Sequence, residues 1–171
     1  MSGSSPGRCI EMHVRCNKEA ITAKRSPHKT RRPNRPKDRS KWQLMHWRKY
    51  CDGLWKQIIK ARAGNACELC GATDKQLQAH HLIEKAVLLY RYDLMNGVCL
   101  CASHHKVDKH KSAHKNPIWF ENEIWRKHTD RWIWWVDHYK TDHETDMAKP
   151  TLQDYPAIAA RLELALEKYN A

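Results

Sequence analysis

Apolar and polar positions change period along the 171-residue chain, and the changes mark its elements. From residue 41 to 63, Leu44, Trp47, Cys51, Leu54, Trp55 and Ile58 recur every three or four positions, which predicts a helical stretch with one buried stripe. Asp52-Gly53 is a candidate break into two helices, and Gly64-Asn65 a candidate C-terminal stop. The period then shortens. Gln76 to Ile83 and Val98 to Cys101 suit two short strands, with Ala86 to Tyr92 as a loop or short helix between them. Asn96-Gly97 has the composition of a two-residue hairpin turn. From Ser103 the pattern returns to helix, and Asn116-Pro117 stops and restarts it. Over 118–140, Phe120, Ile124, Trp132, Val136 and Tyr139 fall at helical spacing, and the Trp residues among them are expected in the core rather than on a base-stacking surface. A polar linker over 141–151 ends at Pro150. A last helix begins near Asp154, with Pro156 in its first turn and Ile158, Leu162, Ala165 and Tyr169 as its stripe.

Residues 1–40 carry no such period. Ser2 to Gly7 and the prolines at 27, 33 and 36 break structure, and this stretch is predicted to be a disordered tail. It also holds Cys9, His13 and Cys16, which lack a fourth ligand at a standard zinc spacing. The domain reading is a basic tail over 1–40, a helical lead-in over 41–63, a central module over 64–116 and a helical extension over 117–171.

Charge sharpens this picture. The formal net charge is +12, from 31 Lys and Arg against 19 Asp and Glu. Residues 24–41 hold nine basic side chains and one acid, whereas 117–171 holds seven basic and ten acidic ones. A basic front suits a polyanion, and DNA is the leading candidate because neutralising phosphates releases counterions. Arg31, Arg32, Arg35, Lys56 and Lys60 are the candidate contacts, with a solvated basic tail as the plainer alternative. No apolar run reaches the ~20 residues needed to span a bilayer, so no membrane partner is expected. Seven cysteines are an odd number, which argues against a fully paired disulfide framework and for a reducing, cytoplasmic setting.

The chemistry concentrates at 67–105. Cys67-Glu68-Leu69-Cys70, with Gly71 relieving the turn, and Cys101-Ala102-Ser103-His104 supply four soft ligands for one tetrahedral, structural zinc. Cys99 is out of step with them and reads as a small buried residue. Inside this clamp lie His80, His81, Asn96 and His105. Phosphodiester hydrolysis needs an activated water and a cation on the developing negative charge. An imidazole can serve as the base, other imidazoles can hold the cation, and an Asn can fix a ring by hydrogen bonding.

These residues resemble a known family. Cys67-x-x-Cys70, Ala79-His80-His81, Asn96-x8-His105 and Cys101-x-x-His104 are similar to the HNH endonucleases of the ββα-metal (His-Me finger) superfamily, and Ser112 to Phe120 resembles the segment after the motif in phage-type, free-standing members. The resemblance covers roughly residues 64–120. It implies an α+β fold in which a small zinc-stabilised ββα-metal module sits between flanking α-helices. It implies a metal-dependent hydrolase that nicks or cuts DNA, leaving 5′-phosphate and 3′-hydroxyl ends. His81 would be the general base, Asn96 would orient it and brace the loop, and His80 and His105 would bind one catalytic divalent ion. Cys67, Cys70, Cys101 and His104 would bind structural Zn²⁺. His80 stands where the family often has Asp, which leaves Mg²⁺, Mn²⁺, Ni²⁺ and Zn²⁺ open for the catalytic site. A third ligand is open among Asp108, His110 and His114, and the roles of His104 and His105 are interchangeable on sequence alone. A host-cell cytoplasm and a packaging or other assembly partner follow from the same resemblance. A zinc-stabilised nucleic-acid binding module without catalysis is the alternative, and a structural subunit docking through the Trp-rich 118–140 segment is a third.

Overall fold

The protein is α+β: a two-stranded antiparallel sheet flanked by helices on both faces. The computed structural model describes residues 36–139 and 149–170. Arg31, Arg32, Arg35, Cys9, His13, Cys16 and residues 141–148 of the predicted linker lie outside them. Within the described residues the elements run α1 (Leu44–Arg62), β1 (Leu77–His81), β2 (Gly97–Cys101), a π-type helical turn over Ser103–Val107, α2 (Pro117–Lys127), α3 (Thr129–Tyr139) and α4 (Tyr155–Asn170). None of the described helices is long and apolar enough to cross a membrane.

The sheet separates two cores because residue side chains alternate between its faces. On one face α1 packs against α4, with Cys51, Trp55, Ile58 and Ile59 meeting Tyr155, Ala159, Leu162 and Cys99. On the other, Val98 and Leu100 pack with Leu69, Phe120 and Ile124 from the knuckle and α2. The register pairs Leu77 with Cys101 and His81 with Gly97. Gly97 is required there by the close approach of α1: a Cβ on it would stand 2.9 Å from Trp55 Cζ2 and overlap Ile59.

Several expectations are corrected. Helix α1 runs unbroken through Asp52-Gly53, because Cys51, Leu54, Trp55 and Ile58 are all buried in one core across the glycine. It stops where Gly64 and Asn65 turn left-handed, at φ of 60° and 53°. Asn96-Gly97 is not a hairpin turn: Gly97 opens β2, Asn96 is fully buried, and residues 82–96 form one long connection without a helix. The helix expected from Ser103 is a single turn, closed by Asp108 N–H on the Ser103 carbonyl. Among the Trp residues of 118–140, Trp119, Trp132 and Trp135 pack partly buried against the core of Phe120 and Ile124, as expected, Trp134 is half-buried, and Trp125 is exposed. In α4, Leu162 is buried and Ile158 and Ala165 pack partly buried against the core as expected, Tyr155 and Ala159 join them, and Tyr169 is exposed. Residues 36–40 of the predicted tail are anchored, with Arg39 paired to Glu163 at 2.9 Å and the Pro36 carbonyl accepting from Trp42 Nε1.

Candidate functional site

The knuckle brings the first ligand set together. Gly71, at φ 71°, lets its N–H return to the Cys67 carbonyl at 2.7 Å, and Cys67 N–H donates to Ala72 O at 2.9 Å. Glu68, inside the Cys-x-x-Cys, ties this loop to the rest. Its carboxylate accepts from Cys99 N–H and from the Arg131 guanidinium, each at 2.6 Å. Arg131 also donates to Gly97 O at 3.0 Å, so a charge on α3 fastens the knuckle to β2. The ligand atoms of Cys67, Cys70, Cys101 and His104 all fall within 4.8 Å of one another. His104 Nδ1 stands 3.5 Å from Cys67 Sγ and 3.4 Å from Cys101 Sγ. Ordinary Zn–S and Zn–N lengths at a tetrahedral angle give an edge of about 3.5 Å. This Cys3His cluster could therefore hold a metal ion such as zinc. Burial pushes the Cys67 thiol up, but backbone hydrogen bonds and His104 bring it below the ordinary thiol range. Burial and the neighbouring sulfurs push Cys70 the other way, the pattern of crowded anionic ligands that a cation would relieve.

The second set lies at the other end of the strands. His80 projects toward α2, where Phe120 meets its ring edge-on at 5.2 Å. His105 sits in the helical turn. His114 is brought beside it by the next loop, whose path is fixed by four bonds. Asp108 Oδ1 accepts from the N–H groups of His110 and Lys111 at 2.8 and 2.9 Å, and Ala113 and His114 donate to the carbonyls of His104 and His105 at 2.8 and 3.2 Å. The result is a cluster of His80, His105 and His114 with ligand atoms within 4.8 Å. His105 Nε2 and His114 Nε2 face each other at 3.1 Å, and buried His105 Nδ1 makes no hydrogen bond. Two facing ring nitrogens need a proton or a cation between them. Burial, then repulsion from the other histidines, pushes His80 down to about 3, and burial likewise lowers His105, which favours the neutral, ligand-competent form of each ring. Of the three candidates for a third ligand, the cluster includes His114 and neither Asp108 nor His110.

His81, on the opposite face of β1, is the last strand residue, and a cleft of about 330 Å³ is lined by it together with His80, His105, His114, Ala79, Glu84 and Lys85. Its ring stacks on Trp55 of α1, 3.8 Å between centroids and 9° from parallel. Its Nε2 meets the Arg91 carbonyl at 3.0 Å. A carbonyl only accepts, so the proton sits on Nε2 and Nδ1 keeps its lone pair. Burial lowers His81 from the ordinary imidazole value, and the Arg91 carbonyl partly offsets it.

Asn96 braces the connection, and its side-chain hydrogen bonds go to Ile83 and Tyr90 rather than to His81. Its Oδ1 accepts from Ile83 N–H at 2.6 Å, and its Nδ2 donates to Ile83 O and Tyr90 O at 3.1 and 2.9 Å. The orienting bond to His81 comes from Arg91 instead. No sequence pattern announces it, since any residue supplies a carbonyl; Trp55, on the apolar stripe of α1, gave only the signal of a core residue. Lys56 is exposed and Lys60 half-buried on α1, and neither lines the cleft. No protein-family model, curated protein or solved structure matches the chain.

Proposed function

We propose that the protein is a metal-dependent endonuclease of the HNH type, with zinc held by Cys67, Cys70, Cys101 and His104 and a catalytic divalent ion held by His80, His105 and His114. The observation that carries this reading is the shared cleft: three imidazoles whose ligand atoms lie within 4.8 Å line it together with a fourth, His81, whose Nε2 meets the Arg91 carbonyl. When bound, the inner ion would offset negative charge on the scissile phosphate. His81 Nδ1 accepts a proton from the attacking water as its oxygen bonds to phosphorus. The bond from phosphorus to the 3′ oxygen breaks, and that oxygen takes a proton from solvent. Asn96 holds the connection that carries Arg91, and Trp55 keeps the imidazole from rotating. Zinc in the outer site would contribute to folding rather than to chemistry, because its four positions are filled. Three nitrogen ligands and no carboxylate favour Mn²⁺, Ni²⁺ or Zn²⁺ over Mg²⁺.

DNA is the proposed substrate because exposed lysines cluster in the segment that carries two of the cleft's histidines. Lys106, Lys109, Lys111 and Lys115 are all exposed on the segment that carries His105 and His114. The test is nicking of supercoiled plasmid across Mg²⁺, Mn²⁺, Ni²⁺ and Zn²⁺. Wild type nicks, and His81→Ala loses about 10²–10⁴ in rate while still binding DNA. If wild type binds DNA but leaves plasmid intact with every ion, the protein is a binding module and the enzymatic reading fails.

A further inference from the structure

Helix α1 lies outside the segment that carries the histidines, yet one of its side chains stacks on the His81 ring and another grips the residue whose carbonyl holds that ring. Trp55 stacks on the His81 ring, and its Nε1 donates to the Asp93 carbonyl at 2.9 Å. Three residues earlier, on the same face of the helix, Asp52 receives a two-pronged grip from Arg91, Nε to Oδ1 and NH2 to Oδ2, each at 2.9 Å. Arg91 is the residue whose carbonyl holds His81 Nε2. The connection it belongs to has no regular structure, so its carbonyl needs an anchor from outside. The paired guanidinium and carboxylate are 13% and 16% exposed, which makes this a largely desolvated, geometrically specific pair rather than a surface contact. Lys85, on the lip of the cleft, reaches the same carboxylate at 2.7 Å.

We infer that α1 is part of the catalytic apparatus, with Asp52 a positioning residue for the His81 base: it clamps the Arg91 side chain, and so sets the Arg91 carbonyl that holds the His81 proton on Nε2. This rests on the nuclease reading for its kinetic consequence but not for its structural one. Loss of the carboxylate charge frees the Arg91 backbone, and the imidazole then shares its proton between both nitrogens. A ring carrying its proton on Nδ1 has no lone pair to offer the water there.

The experiment combines kinetics with nitrogen NMR of the His81 ring in the full-length, zinc-loaded chain. Asp52→Asn keeps the shape of the side chain and removes its charge. It is expected to lower kcat roughly 10- to 100-fold, less than removal of the base itself, with KM unchanged. In a His81→Ala background the same substitution is expected to cost nothing further. The ring spectrum is expected to change from a single Nε2–H form to a mixture. Arg91→Lys, which keeps the charge but not the two-pronged geometry, is expected to give an intermediate spectrum and guards against a folding defect in the first variant. An unchanged ring spectrum in both variants, or an equal fractional loss of rate with and without His81, overturns the inference. If wild type does not nick DNA, the nuclease reading falls and the ring spectrum alone decides the clamp.

Discussion

His114 shows most clearly what one residue contributes. Its position depends on Asp108 turning its carboxylate onto the backbone N–H groups of His110 and Lys111, which removes that acid from the choice of ligands and folds the loop back. His114→Ala is therefore expected to weaken Ni²⁺ or Zn²⁺ binding at the inner site by at least about tenfold by calorimetry, whereas His110→Ala leaves it unchanged. Equal effects would show that the cluster is not the binding unit. His80 and His105 were legible as a candidate pair only through their combination with His81 and Asn96, and the structure brings the two together with His114. The choice among Asp108, His110 and His114 was not legible, because it rests on backbone hydrogen bonds that any residue could make. The same holds for Arg91, whose contribution to His81 is a carbonyl. Asn96 was read as a ring-orienting side chain, but its three hydrogen bonds all go to the backbone of Ile83 and Tyr90.

Elements explain why some pattern readings held and others failed. The strands and the knuckle between 67 and 101 are short; Gly71 turns the knuckle and Gly97 opens β2, and both are visible in sequence. Gly53 looked like a helix end; a mid-helix glycine costs only about 1 kcal/mol, less than the burial of the side chains on either side of it yields. The Trp-rich segment was read as core from composition. It splits at His128 into two helices whose single fully inward charged group is Arg131, spent on Glu68 and the Gly97 carbonyl. Cys67, Leu69 and Ala72 pack into the adjoining core, but the knuckle has no strand or helix of its own, and a bound metal is expected to add to its stability. Cys70→Ser is expected to reduce bound zinc by about one per chain and to lower the melting temperature, read by elemental analysis and calorimetry. Cys70 is exposed, so packing loss alone would not produce that drop. Unchanged zinc content would reject the cluster as a zinc site.

Across the whole molecule, charge and chemistry coincide at one place. The front-loaded basic residues at 31, 32 and 35 lie outside the described residues, and Lys56 and Lys60 stand apart from the cleft. The lysines at 106, 109 and 111 are exposed on the segment that carries His105 and His114. Replacing those three with alanine is expected to reduce the magnitude of the salt dependence of duplex DNA binding by about 2–3 in log–log slope, measured by fluorescence anisotropy on the His81→Ala protein. An unchanged slope would place the phosphate contacts elsewhere. All of this depends on a divalent ion lying within reach of the His81 ring, and anomalous diffraction from crystals grown with Mn²⁺ and Zn²⁺ tests that most directly. The expected result is two peaks, one among Cys67, Cys70, Cys101 and His104 and one among His80, His105 and His114, with His81 Nδ1 facing the second across a water. A single peak at the cysteines, with the three histidines turned apart, would contradict the account.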